Sequence, residues 1–330
     1  MEIAFEYLLA ALESTRGTAV NPPTRYLNMA GTITPGNEKY RPNESRGTLA
    51  EYYRSKTVRK FSDWQAEGPA DVYTLPVLLN GAVKGGVTSP STPDGATNTR
   101  LWTFAPTMTS DDLKSMTLYG ADPNVQAIQA AFSMVDELTI GGDSAGTDGV
   151  KMSAKGRGHF PAKTAPSSVP AQLTAPLLAP GDMQLWLDTS SAIGTSAITG
   201  RVLSGEFSVA NNLAYKWVAS GPASNLNFYK IGRAKRHAEL KLVFEVPDMA
   251  QYDLFGVDTV IKARLRWNGP LIESGFYHYI EVDVYGAFDA FSWGENEGTN
   301  RTIEMTIQSE YNTTAGHDFA VRVQNDRATL

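Results

Sequence analysis

The chain has 330 residues, of which 42% are hydrophobic and 19% are charged; this balance is typical of a folded protein with one large domain or two ordinary ones. Its formal net charge of −6 argues against nucleic-acid binding through clustered lysine and arginine. It contains no cysteine, which excludes disulfides and thiolate chemistry and would leave a zinc ion to other ligands.

The N-terminal segment 1–23 does not resemble a signal peptide, because its apolar run is short and its first charges are acidic rather than basic. No later stretch approaches the roughly 20 apolar residues that span a bilayer, so we expect no membrane span and folding in a cytoplasm. Pro22 and Pro23 hold the chain open after Glu13–Thr18. We therefore predict that residues 1–23 form an arm that leaves the domain body.

Residues 24–160 are predicted to form a first β-domain, because 29 glycines and 18 prolines in the chain favour many turns between short strands. A short helix is expected near Val77–Leu79, since Pro76 would disturb the second turn of a helix that began earlier. Residues 85–99 are predicted to be a long loop. The predicted strands are Tyr26–Ile33, Thr57–Phe61, Leu101–Thr107, Ser115–Tyr119, Ala127–Ile140 and Gly149–Gly158.

Residues 161–196 are proline-rich and form the predicted linker, although Met183–Leu187 alternates like a strand. A second β-domain is predicted over residues 197–330, with a short helix at Pro247–Phe255 that Asp248 would begin. Its predicted strands are Val202–Val209, Tyr215–Val218, Ala238–Val246, Val260–Trp267, Tyr277–Tyr285, Thr302–Gln308 and Phe319–Val323.

The two halves resemble each other at one place. Val135–Gly141 aligns with Phe288–Gly294 at an offset of 153 residues, and a polar turn and an alternating strand follow in both halves. This similarity favours a tandem duplication of one mainly β domain, a β-sandwich or barrel with a short flanking helix. The alternative is that any two β-hairpins with aspartate and glycine in the turn look this similar.

No residue is assigned a catalytic, cofactor-binding or metal-binding role, and no enzyme activity is predicted. Gly142–Gly146 matches the Gly-x-Ser-x-Gly nucleophile elbow around Ser144, but a strand rather than a helix follows it. Asp111, Asp112, Asp143 and Asp148 lack the spacing of a calcium loop and read as turn carboxylates. The basic segment Lys230–His237 is either an anion-binding patch or, as we prefer, a solvated loop or inter-subunit charge contact.

The tryptophans also allow two interpretations. Trp102, Trp186, Trp217, Trp267 and Trp293 would stack on sugar rings in a carbohydrate-binding module, but most lie in alternating strands. Residues in that setting more often pack in a core or against another subunit.

Several segments together resemble the tail tube (major tail) proteins of long-tailed, non-contractile, siphovirus-type bacteriophages. The carriers of this resemblance are Glu13–Thr18 with the prolines that follow, Phe132–Gly142, Val202–Asn212, Gly298–Gln308 and Val321–Asn325. They run through most of the chain, although each is degenerate.

The resemblance implies a structural virion protein with tail-tube-like domains whose sheets join between copies, and whose stacked rings form a tube for DNA ejection. Implied partners are the chain itself, a tape measure protein in the lumen, tail terminator and tail-tip proteins, and genomic DNA that passes without specific binding. No cofactor is implied. Family members with one such domain form rings of six, so two domains per chain would give rings of three chains; one domain with insertions would give hexamers.

Three further expectations follow from the resemblance. The arm 1–23 and the loop 85–99 are candidates for contacts between rings. Glu281 and Asp283 are candidate acidic residues of the lumen, where they would keep phosphates mobile. The alternative function is a carbohydrate-binding or recognition module of a tail tip or spike.

Overall fold

The computed structural model describes residues 7–44, 46–47, 49–107, 112–122, 126–144, 146–190, 192–198, 201–218, 226–245, 250–255, 259–294 and 301–330. The protein is mainly β, as predicted, with two short helices among these residues. The first half contains β1 (Tyr7–Leu12), β2 (Arg25–Leu27), β3 (Ala30–Tyr40), β4 (Lys56–Pro69), α1 (Leu75–Ala82), β5 (Arg100–Phe104), β6 (Met116–Asp122), β7 (Gln126–Asp143) and β8 (Lys151–Gly158).

The second half follows with a similar series of elements. It contains β9 (Met183–Asp188), β10 (Ala197–Ile198), β11 (Val202–Ala210), β12 (Leu213–Lys216), β13 (Lys230–Arg233), β14 (His237–Glu245), α2 (Ala250–Phe255), β15 (Ile261–Glu273), β16 (Phe276–Trp293), β17 (Thr302–Ser309) and β18 (Phe319–Asn325).

Strand pairing repeats between the halves. In the first half the hydrogen-bonded order is β3-β4-β8-β7-β6-β1-β2. In the second half it is β11-β14-β17-β16-β15-β9-β10. Each strand of one series has a counterpart at the same place in the other, and α1 and α2 also correspond in chain order. The aligned aspartates Asp136 and Asp289 each lie at a register shift, in β7 and in β16. A β-bulge thus recurs at the offset of 153 residues that the sequence comparison found.

The two series join through antiparallel pairing of β7 with β11. This pairing creates one run of strands, β3-β4-β8-β7-β11-β14-β17-β16, which we call the eight-strand sheet. β7 and β16 are each 18 residues long, and their N-terminal halves pair instead with β6 and β15. The long strands therefore pass from one layer of a β-sandwich to the other, and the apolar core lies between the layers.

The helices are short. α1 begins at Leu75, two residues earlier than Val77, with Pro76 in its first turn, where a proline needs no backbone donor. α2 covers the C-terminal part of the helix predicted at Pro247–Phe255, whereas Pro247 and Asp248 lie outside the described residues. Residues 183–188 of the predicted linker form β9, which pairs with β15.

The described part of segment 1–23 does not leave the body as the predicted arm would. β1 lies between β2 and β6, and Leu8, Leu9, Ala10 and Ala11 are buried. The physical reason is the apolar run itself, because burying it in the sheet is more favourable than exposing it to water. The segment 13–24 between β1 and β2 turns back and contacts β6, where Val20 bonds to Thr117 and Tyr119.

Glu13 fixes that turn. Its buried carboxylate, 2% exposed, accepts hydrogen bonds from the Ser115 and Thr117 hydroxyls at 2.6 and 2.8 Å. It also accepts the backbone N–H groups of Gly17 at 2.7 Å and Phe132 at 2.8 Å. Both of these residues have positive φ angles, so the carboxylate stabilises two unusual backbone positions at once.

We predict that Glu13→Ala lowers the free energy of unfolding by about 2–4 kcal/mol, because it leaves three buried donors and one half-buried donor without their acceptor. Urea unfolding followed by tryptophan fluorescence measures this change. The control is Asp148→Ala, which removes an exposed carboxylate paired with Lys151 and should change stability little. Equal effects of the two substitutions would contradict a structural role for Glu13.

Candidate assembly interface

One face of the eight-strand sheet is polar and the other is buried in the core. Alternation along the strands places Ile33, Trp64, Leu138 and Phe207 inside, while their neighbours point outward. Two open hollows of about 610 and 770 Å³ lie on the outward face, which is therefore concave. Its residues include Glu67, Glu137, Lys151, Lys155, Glu206, Lys241 and Glu304.

Opposite charges are paired across this polar face. Lys155 contacts Glu137 at 2.6 Å, and Lys241 contacts Glu239 at 3.2 Å and Glu206 at 4.0 Å. Exposed pairs of this kind add little stability. They do keep the lysine side chains engaged with neighbouring carboxylates, which lowers the positive charge that this face presents.

The eight-strand sheet ends in two edges that have no strand partner among the described residues. β3 pairs with β4 on one side only. In β16, residues 287–293 pair with β17, whereas the pairing with β15 stops at Gly286 and that with β18 at Val284. An unpaired strand edge presents backbone donors and acceptors to any strand that can approach it.

The pairing of β7 with β11, which we call the internal joint, shows how such edges are satisfied. Asn211 lies at one end of this ladder, directly after β11. Its side-chain amide donates to the carbonyl oxygens of Ala82, at the end of α1, at 2.9 Å and of Val135 at 3.1 Å. Its backbone N–H donates to the Asp136 carbonyl at 2.7 Å. The Asp136 carboxylate accepts the Leu213 N–H at 2.9 Å. Arg236 extends the contact by donating to the Val83 carbonyl at 3.2 Å.

The strands at the open edges are the counterparts of those at the internal joint. Following the ladders through the two series aligns Ile33 of β3 with Phe207 of β11. The aligned sequences are then Gly31-Thr-Ile-Thr-Pro-Gly-Asn37 and Gly205-Glu-Phe-Ser-Val-Ala-Asn211. Both begin with glycine and end with asparagine. At Gly31 an added Cβ would lie 2.9 Å from Leu8 of β1, and at Gly205 it would lie 3.1 Å from Met183 of β9. Since β1 and β9 hold the same place in the two series, each glycine leaves room for a side chain from the equivalent strand.

This second repeat, of β3 and β11, was not predicted from the sequence. Its signal was a glycine, an apolar residue, a hydroxyl residue and an asparagine at matching positions, 174 residues apart. The offset differs from the 153 residues of the β7/β16 repeat, because the connections between the strands differ in length. A single-offset comparison of the halves therefore cannot show both repeats.

The helices beside the two edges differ in burial. Every residue of α1, at the internal joint, is buried, and Ile140 of β7 is 0% exposed. At the open edge of β16, the counterpart Trp293 is 42% exposed, and Tyr252 and Phe255 of α2 are 44% and 39% exposed. Tyr252 stacks on Trp293 at a ring distance of 6.3 Å, and Phe291 packs against both. An aromatic patch is thus left open where the first half has a covered core.

Glu281 and Asp283, the predicted lumen acids, are instead buried in an ion network and do not present free negative charge. Their carboxylates are 2% and 0% exposed and lie beneath three guanidinium groups. Arg264 binds Asp283 through two hydrogen bonds of 2.7 and 2.8 Å, and Arg266 binds Glu281. Arg322 bridges both carboxylates, at 2.9 and 2.5 Å. The network is supplied by β15, β18 and the N-terminal half of β16, which pairs with those two strands rather than with β17.

The pKa of the Asp283 carboxyl reflects two opposing effects. Burial alone would raise this pKa, but the hydrogen bond from Arg264 and the positive charges of Arg322 and Arg264 lower it below its ordinary value. A lowered pKa in the folded state means that the ionised form stabilises the fold above the ordinary value of about 3.9. That contribution is lost as the pH falls through the lower, folded-state pKa.

We predict that Asp283→Asn lowers the free energy of unfolding by about 3 kcal/mol at pH 7, because it breaks a buried ion network on one side. The variant should also lose less stability than the parent protein when the pH falls below about 4. Thermal unfolding as a function of pH tests both points. Asp63→Asn, whose carboxylate is half-exposed and bound to Arg157, serves as the control. A variant that keeps the parent's acid profile would contradict the assignment.

The other residues that the sequence singled out as possible site residues make contacts within the fold. Ser144 lies between antiparallel β7 and β8, in the predicted strand–turn–strand setting, and its hydroxyl and N–H both donate to the Leu203 carbonyl at 2.7 Å. In the basic segment, Arg236 packs over the Phe319 ring at 4.8 Å, and His237 contacts Glu239. Trp102 and Trp267 are buried core residues. Asp112 pairs with Arg16, whereas Asp111 lies outside the described residues.

Within the described ranges, no three histidine or acidic side chains come together as metal ligands would. None of the helices in those ranges has the length and apolar character needed to cross a membrane.

Comparison with known proteins agrees with this architecture. The sequence profile of a family described as phage tail tube protein matches residues 6–319, which is nearly the whole chain. No curated protein matches the chain. Family membership implies self-polymerisation into a tube that is part of the virion tail, and nothing found favours the carbohydrate-binding alternative. The chain belongs to the phage tail tube protein family and is a structural subunit of a tail tube.

Proposed function

We propose that the concave polar face of the eight-strand sheet lines the channel of the tube. The observation that carries this proposal is the sidedness of that sheet: its inner side is packed in the core, and its outward side carries paired charges on a hollow surface. On such a wall the lysines are paired with carboxylates, so they do not serve as counterions for the DNA phosphates. DNA would therefore pass without specific binding.

Ring closure by backbone pairing between copies accounts for the two open edges. We propose that each chain supplies two tube domains, residues 24–160 and 197–330, connected by segment 161–196. The repeated strand order supports two units per chain, with β1 of segment 1–23 added to the first unit and β9 of segment 161–196 added to the second. Three chains would then form a ring with pseudo-sixfold symmetry, because each chain supplies two similar units to a closed ring. Rings of six chains remain the competing arrangement.

The remaining partners follow from the position in a tail. We propose stacked rings in a long, non-contractile tail assembled in the host cytoplasm, with a tape measure protein in the lumen and terminator and tip proteins at the ends. Loop 85–99 remains a candidate for ring-to-ring contact. Its C-terminal end is held to the body by Glu273, whose carboxylate accepts the N–H groups of Thr97, Asn98 and Thr99.

The stoichiometry is tested by measuring the mass of the smallest closed ring by native mass spectrometry. We expect a species with three times the mass of the chain, which electron microscopy shows as a ring with six similar lobes. Six chains per ring would overturn the two-domain proposal but not the tube. A protein that remains a compact monomer at high concentration would overturn the proposal that the polar face lines the channel of a tube.

We further propose that the subunit performs no catalysis and that Ser144 acts only as a clip between the β7–β8 turn and β11. Ser144→Ala should leave tube assembly unchanged and reduce stability by about 1 kcal/mol, the value of one hydrogen bond. Tube length distributions and thermal unfolding measure the two effects. Because Leu203 keeps the backbone bond from Ser144 in this variant, a large loss of assembly would contradict the clip role.

A further inference from the structure

The strands at the two open edges of the chain are the counterparts of the two strands that pair at the internal joint. β7 and β11 pair in antiparallel orientation within the chain. Their counterparts, β16 and β3, lie at opposite ends of the eight-strand sheet and have no such partner in the described residues. Within one copy the described strands β3 and β16 do not pair with each other, because six strands lie between them, but two copies placed end to end bring them together.

The side chains that complete the internal joint also recur. Asn37 is the counterpart of Asn211, whose amide binds the Val135 carbonyl and the end of α1. Asn37 is exposed within the chain, and no contact of its side chain takes the place of those of Asn211. The counterpart of Val135 is Phe288, which precedes the bulged Asp289 as Val135 precedes Asp136. The donor and its acceptor are therefore present on opposite ends of the chain.

The exposed aromatic patch gives an independent indication. At the internal joint, residues of the second half cover α1, since Asn211 and Arg236 reach its final carbonyls. At the open edge, the described residues place the Arg301 guanidinium over the Trp293 ring at 4.4 Å, and Tyr252, Phe255 and Trp293 all remain more than a third exposed. The patch lies beside the edge of β16 and faces the position that the apolar side of β3 would take. Contiguous exposed aromatic surface of this kind marks a protein–protein contact.

We propose that β16 of one copy pairs with β3 of the next in the register of the internal joint. This inference rests on the proposed function and specifies its ring contact. Because Phe207 opposes Ile140 and Ser208 opposes Thr139, Ile33 opposes Trp293 and Thr34 opposes Ser292. Gly36 lies opposite Ala290, and the Asn37 amide donates to the Phe288 carbonyl. Ile33 and the aromatic patch then close a core that continues from copy to copy.

Pro35 makes the intermolecular ladder weaker than the internal one. It is the counterpart of Val209, which has the same orientation as Asn211, and the Asn211 N–H points at β7. Pro35 has no N–H, so one donor is missing from this ladder. A proline at an edge strand also prevents indiscriminate pairing with other strands. The aromatic contact must therefore supply a larger part of the affinity between copies.

The register is tested by disulfide formation, because the chain has no cysteine of its own. Thr34→Cys and Ser292→Cys are combined in one chain, which is assembled and then mildly oxidised. We expect covalent oligomers on non-reducing gels that return to monomer after reduction. The matched internal pair, Thr139→Cys with Ser208→Cys, should form a disulfide within one chain and calibrates the yield for this geometry.

A shifted pair distinguishes the proposed register from mere proximity. Thr32→Cys with Ser292→Cys is displaced by two residues, and it should cross-link about tenfold less, since diagonal neighbours lie too far apart for an unstrained disulfide. Equal or greater cross-linking of this pair, in assemblies visible by electron microscopy, would overturn the register while the tube function stands. If the unmodified protein formed no ring or tube, both the proposed function and this joint would be overturned.

Discussion

The architecture depends on the antiparallel pairing between β7 and β11. Without it, the halves would be joined by the β5–β18 ladder alone, each half would have a further exposed strand edge, and the polar face would be divided. With it, one edge of each half is satisfied by the other half, and one continuous sheet runs through the molecule. Backbone hydrogen bonds in such a ladder are individually modest, but an unsatisfied buried donor or acceptor is costly. The hydrogen bonds of this ladder therefore fix the orientation and register of β7 against β11.

The aspartates at the two β-bulges, Asp136 and Asp289, also shape the strands that form this joint and the open edge. Asp136 adds one residue to β7, which bends the strand and turns its carboxylate toward the backbone that follows β11. The bend also allows β7 to leave one layer and enter the other, so the same residue shapes the sandwich and the joint. Asp289 occupies the equivalent place in β16, where its surroundings within one chain are open.

The sequence predicted the strands and the repeat better than it predicted their partners. Alternation located β14 within one residue at each end, since a half-buried strand has a period of two whatever lies beside it. The aspartate–glycine repeat pointed to β7 and β16 because the bulge has a local signature. The ion network of Glu281 and Asp283 was not predictable, since it depends on the register among three strands distant in the chain. The same limit explains the position of β1, whose apolar residues fit either a docked arm or an inner strand.

The connections that follow β3 and β11 differ although the strands correspond. In the second half the connection folds back as the β12–β13 hairpin, and Tyr215, Trp217 and Phe228 pack with Phe132 and His159 of the first half. In the first half it extends outward and exposes Tyr40 and Tyr53. In the ring that we propose, the two kinds of connection would therefore alternate. A ring of that kind would have a surface pattern that repeats once per chain, at twice the spacing of the repeated strand pattern.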